Sequence, residues 1–167
     1  MCVLTTGVPL PLQVRPAQPA DAQLLAPLCA AHAAFERLPF CVDGHTERLQ
    51  TALADGLFRA WLLEQGGVAV GYASATLDFA TLSARRFAHL DCLYLVPAAR
   101  GQSGGQALLH AVQAFAESQG CAELQWQTPG WNHRAIRFYD RLGATGTAKQ
   151  RYTLSLLAAR VIDETCL

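Results

Sequence analysis

The sequence predicts a mixed α/β fold of the α+β kind, with a largely antiparallel central sheet of six to seven strands and helices on both faces. Three observations predict it. Segments with strand-like and helix-like apolar spacing succeed one another in the order β-α-α-β-β-β-α-β-α-β. Three strands follow each other in the middle, two of them joined at Gln65-Gly66-Gly67, which makes hairpins rather than crossovers. Helices separate the strands of the second half, and their apolar faces need sheet surface to cover.

Each element has a local cause. "LQVRPAQ" reads as a short first strand. "ADAQLLAPLCAAHAAFERL" carries Leu24, Leu28, Ala31 and Phe35 at helical spacing, with Asp21 placed to cap its start. Pro27 is awkward there, because proline lacks the N–H of a helical residue. "GHTERLQTALADG" is a second helix stopped by Gly56. "FRAWLLEQGGVAVGYASATLDF" supplies the hairpin, and "RRFAHLDCLYLV" is a long strand ended by Pro97. "SGGQALLHAVQAFAESQG" is a helix with Leu108, Val112 and Phe115 on one face and Gly120 as its stop. "CAELQWQT" is a strand, "WNHRAIRFYDRLGA" a helix, and "KQRYTLSLL" a last strand. The predicted domain spans 13–160, between tails at 1–12 and 161–167.

Composition narrows the function. The chain has 167 residues, enough for one self-supporting core. Hydrophobic residues make up 51% and charged residues 16%, a globular balance. Zero formal net charge argues against a nucleic-acid partner. The N-terminus lacks a basic region and is broken by prolines, which predicts no signal peptide and no membrane span. The six cysteines, including Cys92 and Cys121 in apolar runs, form no C-x-x-C pair and read as reduced thiols in a cytoplasmic protein. The five histidines show no ligand spacing, so no metal is expected.

The chemistry gathers around "ARGQSGGQALL", residues 99–109. Gly101-Gln102-Ser103-Gly104-Gly105 fits the G-x-S-x-G nucleophile elbow of serine hydrolases. That elbow needs a strand feeding straight into the turn, whereas Pro97-Ala98-Ala99-Arg100 intervenes. No histidine follows Asp140 to complete the usual order of a triad. The same residues also fit a turn whose N–H groups cradle a pyrophosphate at a helix N-terminus, with Arg100 adding charge. Ser103 then belongs to the cradle, and its hydroxyl is available to cap the helix.

Two blocks carry a resemblance. Leu90-Asp91, Leu93-Tyr94-Leu95-Val96, Arg100-Gly101 and Gly105 form the first; Trp131-Asn132, Ala135-Ile136, Phe138-Tyr139 and Gly143-Ala144 form the second. Together they resemble the GCN5-related N-acetyltransferase (GNAT) superfamily, most of all its spermidine/spermine-type (diamine) branch. The first block departs from R-G-x-G-x-G: Ser103 stands for a glycine and Gly104 for an aliphatic residue. Adjacent glycines there are expected to loosen the turn.

The resemblance implies a GNAT fold and acetyl-CoA as cofactor. Backbone groups of Leu93, Tyr94 and Leu95 would hold the pantetheine arm and polarise the thioester carbonyl. Gly101, Gln102, Ser103, Gly104, Gly105 and Gln106 would form the pyrophosphate cradle beside Arg100, and Asn132 would reach the pantetheine. Tyr139 stands at the family's general-acid position; by spacing alone it also reads as a core aromatic. Phe138 reads as core. Asp91 would accept the amine's proton, with His89 on the same strand face able to pair with it. Phe35-Glu36 resembles the family's aromatic–acid pair, which makes Glu36 a substrate-binding residue, and Asp43, Glu47 and Asp78 could add charge. The implied activity is N-acetylation of a small primary amine, polyamine-like or amino-acid-like, by a homodimer. A catalytically weak acyl-CoA-binding module is the alternative.

Overall fold

The computed structural model describes residues 10–154. Within them the elements are β1 (Leu12–Pro16), α1 (Ala22–Glu36), α2 (His45–Ala54), β2 (Arg59–Gln65), β3 (Val68–Ala80), β4 (Arg85–Leu95), α3 (Gly104–Ser118), β5 (Glu123–Gln125) and α4 (His133–Arg141). The chain divides into two compact units, one ending at Gln125 and one beginning at Trp126.

The first unit holds a five-stranded mixed sheet in the order β1-β2-β3-β4-β5. Neighbours run antiparallel except β4 and β5, which are parallel. The element order matches the sequence reading through α4, but the described residues contain five strands rather than six to seven. Residues 149–154 of the expected last strand take no ladder partner, and 155–157 lie outside the described residues.

Both faces of the sheet are covered, which is why β2 reads as an unbroken apolar run: Ala60, Trp61, Leu62 and Leu63 are all buried. On one face Leu25 and Leu28 of α1 and Leu53 of α2 pack with Ala60, Leu62, Tyr72 and Tyr94. On the other, α3 lays Leu108, Val112 and Ala116 down, and Trp61 meets Phe115 at 5.5 Å between ring centroids.

Two expectations for α1 are corrected. Its buried stripe is Ala22, Leu25 and Leu28, while Leu24 is 42% and Phe35 36% exposed. The stripe is therefore rotated from the one predicted, toward the side that also carries Cys29 and His32. Nor does the Asp21 side chain cap α1. Its carboxylate accepts the Gln18 N–H at 2.7 Å and receives both terminal nitrogens of Arg15, at 2.7 and 2.8 Å. A bidentate guanidinium is the stronger partner.

No helix among the described residues is long and apolar enough to cross a membrane. No group of three or more metal-ligating side chains gathers there either. The four cysteines described, Cys29, Cys41, Cys92 and Cys121, are free thiols.

Candidate active site

The site grows out of β4. Its parallel pairing with β5 stops at His89↔Gln125, while β4 itself continues to Leu95. That side of β4 from Leu90 onward has no strand partner among the described residues, so Leu93, Tyr94 and Leu95 lie along an open sheet edge. Such an edge can pair an extended ligand.

A bulge marks the start of this edge. Across the ladder Ser74 faces Cys92 and Ala75 faces Leu90, leaving Asp91 as the extra residue. The bulge turns Asp91 outward, and its side chain is exposed. The expected cost of a carboxylate buried in an apolar strand is thereby avoided. Asp91 Oδ2 lies 3.5 Å from Cys92 Sγ, and no hydrogen bond joins it to His89 among the described residues. His89 lies opposite Thr76 on β3, where the ladder is still regular.

After β4 a short 3₁₀ turn, Pro97–Ala99, leads into the loop before α3. Ser103 occupies the N-cap position with φ of 63°, left-handed backbone that favours glycine. The hydroxyl of Ser103 makes no cap hydrogen bond, contrary to expectation. Its carbonyl takes the Ala107 N–H at 3.0 Å instead. In α3 the N–H groups of Gly104, Gly105 and Gln106 have no carbonyl one turn back to bond. These donors, at the positive end of the helix dipole, fit a pyrophosphate.

Gly104 sits where a side chain has little room. A Cβ there would lie 2.5 Å from Leu63 Cδ2, 3.0 Å from Leu95 Cδ2 and 3.4 Å from Leu12 Cδ1. Leucines from three strands fill the space that an aliphatic side chain at this position would take. Arg100 donates from Nε to the Leu95 carbonyl at 2.9 Å. Its guanidinium carbon stands 4.7 Å above the Phe35 ring and 5.6 Å above the Tyr94 ring.

On the α1 side of β4 lies a cluster in which the sequence points to Glu36 and Tyr94 but not to His32 and Tyr72. His32 Nδ1 is 3.1 Å from the Tyr72 hydroxyl, and His32 Nε2 is 3.5 Å from Glu36 Oε1. The His32 ring stacks on Tyr94 at 5.1 Å and 23°. Burial is the main force pushing the His32 pKa below its ordinary value; Glu36 and Asp91 oppose it and Arg100 adds to it. Burial also raises the Tyr72 phenol far above its usual range, beside the Cys29 and Cys92 thiols, and lifts Cys92 to about 12. Both thiols are partly buried, and burial holds them above the ordinary thiol range. The one available signal was the i, i+4 spacing of His32 and Glu36.

In the second unit, Asn132 Oδ1 accepts the Ala135 N–H at 3.2 Å and caps α4. Tyr139 is half-buried, its ring 5.0 Å from Trp126 and 5.2 Å from Phe138.

Comparison with known proteins bears on the family and the fold. The profile of the Acetyltransferase (GNAT) family matches residues 28–144, well over half of the chain. The chain is 28% identical over 132 residues to an uncharacterized N-acetyltransferase, YhfO, of Bacillus subtilis (strain 168), covering 79% of this chain and 89% of that protein. It is 34% identical over 80 residues to thialysine N-epsilon-acetyltransferase of Bos taurus; that match covers 48% of this chain and 46% of the relative, about half its length. Among solved structures, aminoglycoside N-acetyltransferase AAC(6')-Iy in complex with CoA superimposes with a TM-score of 0.77 at 18% identity, over 93% of this chain and 100% of that one. The chain belongs to the acetyltransferase (GNAT) family and is an acetyl-CoA-dependent acetyltransferase.

Proposed function

We propose that the enzyme acetylates a primary amine of a small molecule, polyamine-like or amino-acid-like, in a ternary complex. The observation that carries this reading is the β4 segment, where an outward carboxylate at Asp91 adjoins an open edge running toward a helix N-terminus with free donors. Acetyl-CoA supplies the acetyl group as a thioester open to direct attack by the amine. Backbone groups of Leu93, Tyr94 and Leu95 hold the pantetheine and stabilise charge developing on the carbonyl oxygen. Gln102 through Gln106 hold the pyrophosphate, with Gly101 and Arg100 at the entry to the turn.

Asp91 accepts the proton that the amine must lose, through water where the distance requires it. Tyr139 protonates the leaving sulfur, and Asn132 orients the pantetheine arm. Glu36 receives a cationic part of the substrate, and His89 orients the amine. In this reading residues 13–160 work as one domain, in a cytoplasmic homodimer. The thialysine relative, whose name places its reaction on an ε-amine, supports the primary-amine class.

A mass-detected assay tests the proposal: purified protein, acetyl-CoA and a panel of polyamines, aminoglycosides, amino acids and short peptides. Wild type is expected to acetylate at least one class, and Tyr139→Phe to lose about 100-fold or more in kcat. No product across the panel, with acetyl-CoA still bound, would favour an acyl-CoA-binding module instead. The left-handed Ser103 in the cradle is the feature that speaks for that second reading.

A further inference from the structure

The turn that presents the cradle donors is held in a strained shape. Gly101 and Ser103 both have left-handed backbone, with φ of 86° and 63°. At a residue other than glycine, such a conformation persists only where its surroundings over-determine it. Two side chains of this segment supply that support. Gln102 donates from Nε2 to the Ala98 carbonyl at 3.2 Å, and its Oε1 accepts from Gln65 Nε2, also at 3.2 Å. Gln65 donates in addition to the Leu10 carbonyl at 3.1 Å, so this side of the turn is tied to the end of β2.

Arg100 holds the other side, from a face of the sheet that does not carry α3. Trp61 meets Phe115 of α3, and Leu63 and Leu95 wall Gly104 at its first turn, so these side chains mark one face. Leu62, Tyr72 and Tyr94 pack with Leu25 and Leu28 of α1 and mark the opposite face. The Arg100 guanidinium stands over Tyr94 and over Phe35 of α1, on that opposite face. The helix that offers its N–H groups to a pyrophosphate packs on the other side of β4. Meanwhile Arg100 Nε is bound to the Leu95 carbonyl. A planar guanidinium can do both at once, because its face stacks on a ring while its edge donates. Arg100 thus staples the entry of the turn to β4 and to the last turn of α1.

We propose that Arg100 is a positioning residue that fixes the phosphate turn from the α1 face instead of binding the pyrophosphate itself, and that Phe35 carries part of the cofactor affinity through it. The inference rests on the pyrophosphate-cradle reading above. The stacking needs the ring of Phe35, and the carbonyl bond needs a donor at the place of Nε. A positive charge alone supplies neither.

The test measures CoA binding to the full-length protein by calorimetry. Arg100→Lys keeps the charge but loses the flat face and the Nε donor. It is expected to weaken CoA about fivefold or more, close to the loss in Arg100→Met. Phe35→Leu is expected to weaken CoA about threefold, although Phe35 lies on the other face of the sheet. Phe35→Tyr, which keeps a ring under the guanidinium, should bind within about 1.5-fold of wild type. The double variant of Phe35→Leu and Arg100→Met should bind no more weakly than Arg100→Met alone, because the ring acts only through the guanidinium. Thermal unfolding checks each fold, and the comparison of Arg100→Lys with Arg100→Met decides the matter if Phe35→Leu folds poorly.

Wild-type affinity in Arg100→Lys beside a loss in Arg100→Met would overturn the proposal, since charge alone would then account for a direct phosphate contact. Unchanged affinity in Phe35→Leu, or additive losses in the double variant, would overturn it as well and leave the cradle intact. The cradle itself is checked with pantetheine and 4′-phosphopantetheine, which differ by one phosphate. The wild type is expected to bind the phosphorylated form at least about fivefold more tightly. Equal affinity for the two would remove the cradle reading and this inference with it.

Discussion

The turn before α3 and the cluster beneath Glu36 belong to the same unit but are made of different material. The turn presents backbone. Its side chains at Gln102, Ser103 and Gln106 are exposed, and its ligand-facing groups are N–H donors that almost any residue supplies. The cluster presents side chains. Tyr72 and Tyr94 are 3% and 6% exposed, and each makes a contact that depends on its own functional group or ring. A site built from backbone tolerates substitution unless room runs out, as it does at Gly104. A site built from buried side chains tolerates little, because each lost partner leaves a polar atom unsatisfied.

The largest expected effect lies between these two regions. Asp91→Asn should lower kcat about 100-fold or more while acetyl-CoA affinity, measured by calorimetry, stays within about threefold. Unchanged kcat would take the proton acceptor away from β4. Next is Gly104→Val, whose branched side chain meets Leu63, Leu95 and Leu12. It should cost about 1–3 kcal/mol in denaturant unfolding. A loss under about 0.5 kcal/mol would mean that the three leucines yield, and that the turn tolerates side chains everywhere.

The cluster should also show itself in acid. Burial puts the folded pKa of His32 below 6.5, its ordinary value. A neutral buried histidine therefore contributes stability above about pH 6.5, and that contribution fades as pH falls through the lower folded pKa. The slope is at most about 1.4 kcal/mol per pH unit for one proton. Burial also lowers His45. The informative quantity is the wild-type stability minus that of His32→Gln, which should fall as pH drops from 6.5 toward 5; parallel curves would show that burial does not lower the His32 pKa. Smallest is Ser103→Gly. Relief of the left-handed strain, about 1–2 kcal/mol, is offset by glycine's extra chain entropy, about 0.5–1 kcal/mol, so the net gain should not exceed about 1 kcal/mol in thermal unfolding. Acetyl-CoA affinity should change by less than about threefold, since the donors are unchanged.

Much of the molecule was legible because its causes are local. The glycine turn at Gly66-Gly67, the stop at Gly120 and the apolar face of α3 each follow from a few adjacent residues. Other features were not legible for equally physical reasons. The α1 stripe keeps Leu28 but is rotated from the predicted one, because leucines and alanines surround that helix and only the sheet decides which are covered. Asp21 left its cap for Arg15, a partner brought near by β1. Asn132, read as a pantetheine contact, has a capping bond that the sequence pattern did not disclose.

By itself the sequence determined the order of elements, the two motif blocks that mark an acetyltransferase, and the backbone character of the turn. These are properties of short windows, where hydrophobic period and allowed φ and ψ are encoded within one or two turns of chain. Only the tertiary structure decided that β4 bulges at Asp91, that Gly104 is walled in by three strands, and that Tyr72 meets His32. Strand register and side-chain contact depend on partners far along the chain, forty residues apart for His32 and Tyr72, and no local pattern records which of them will meet.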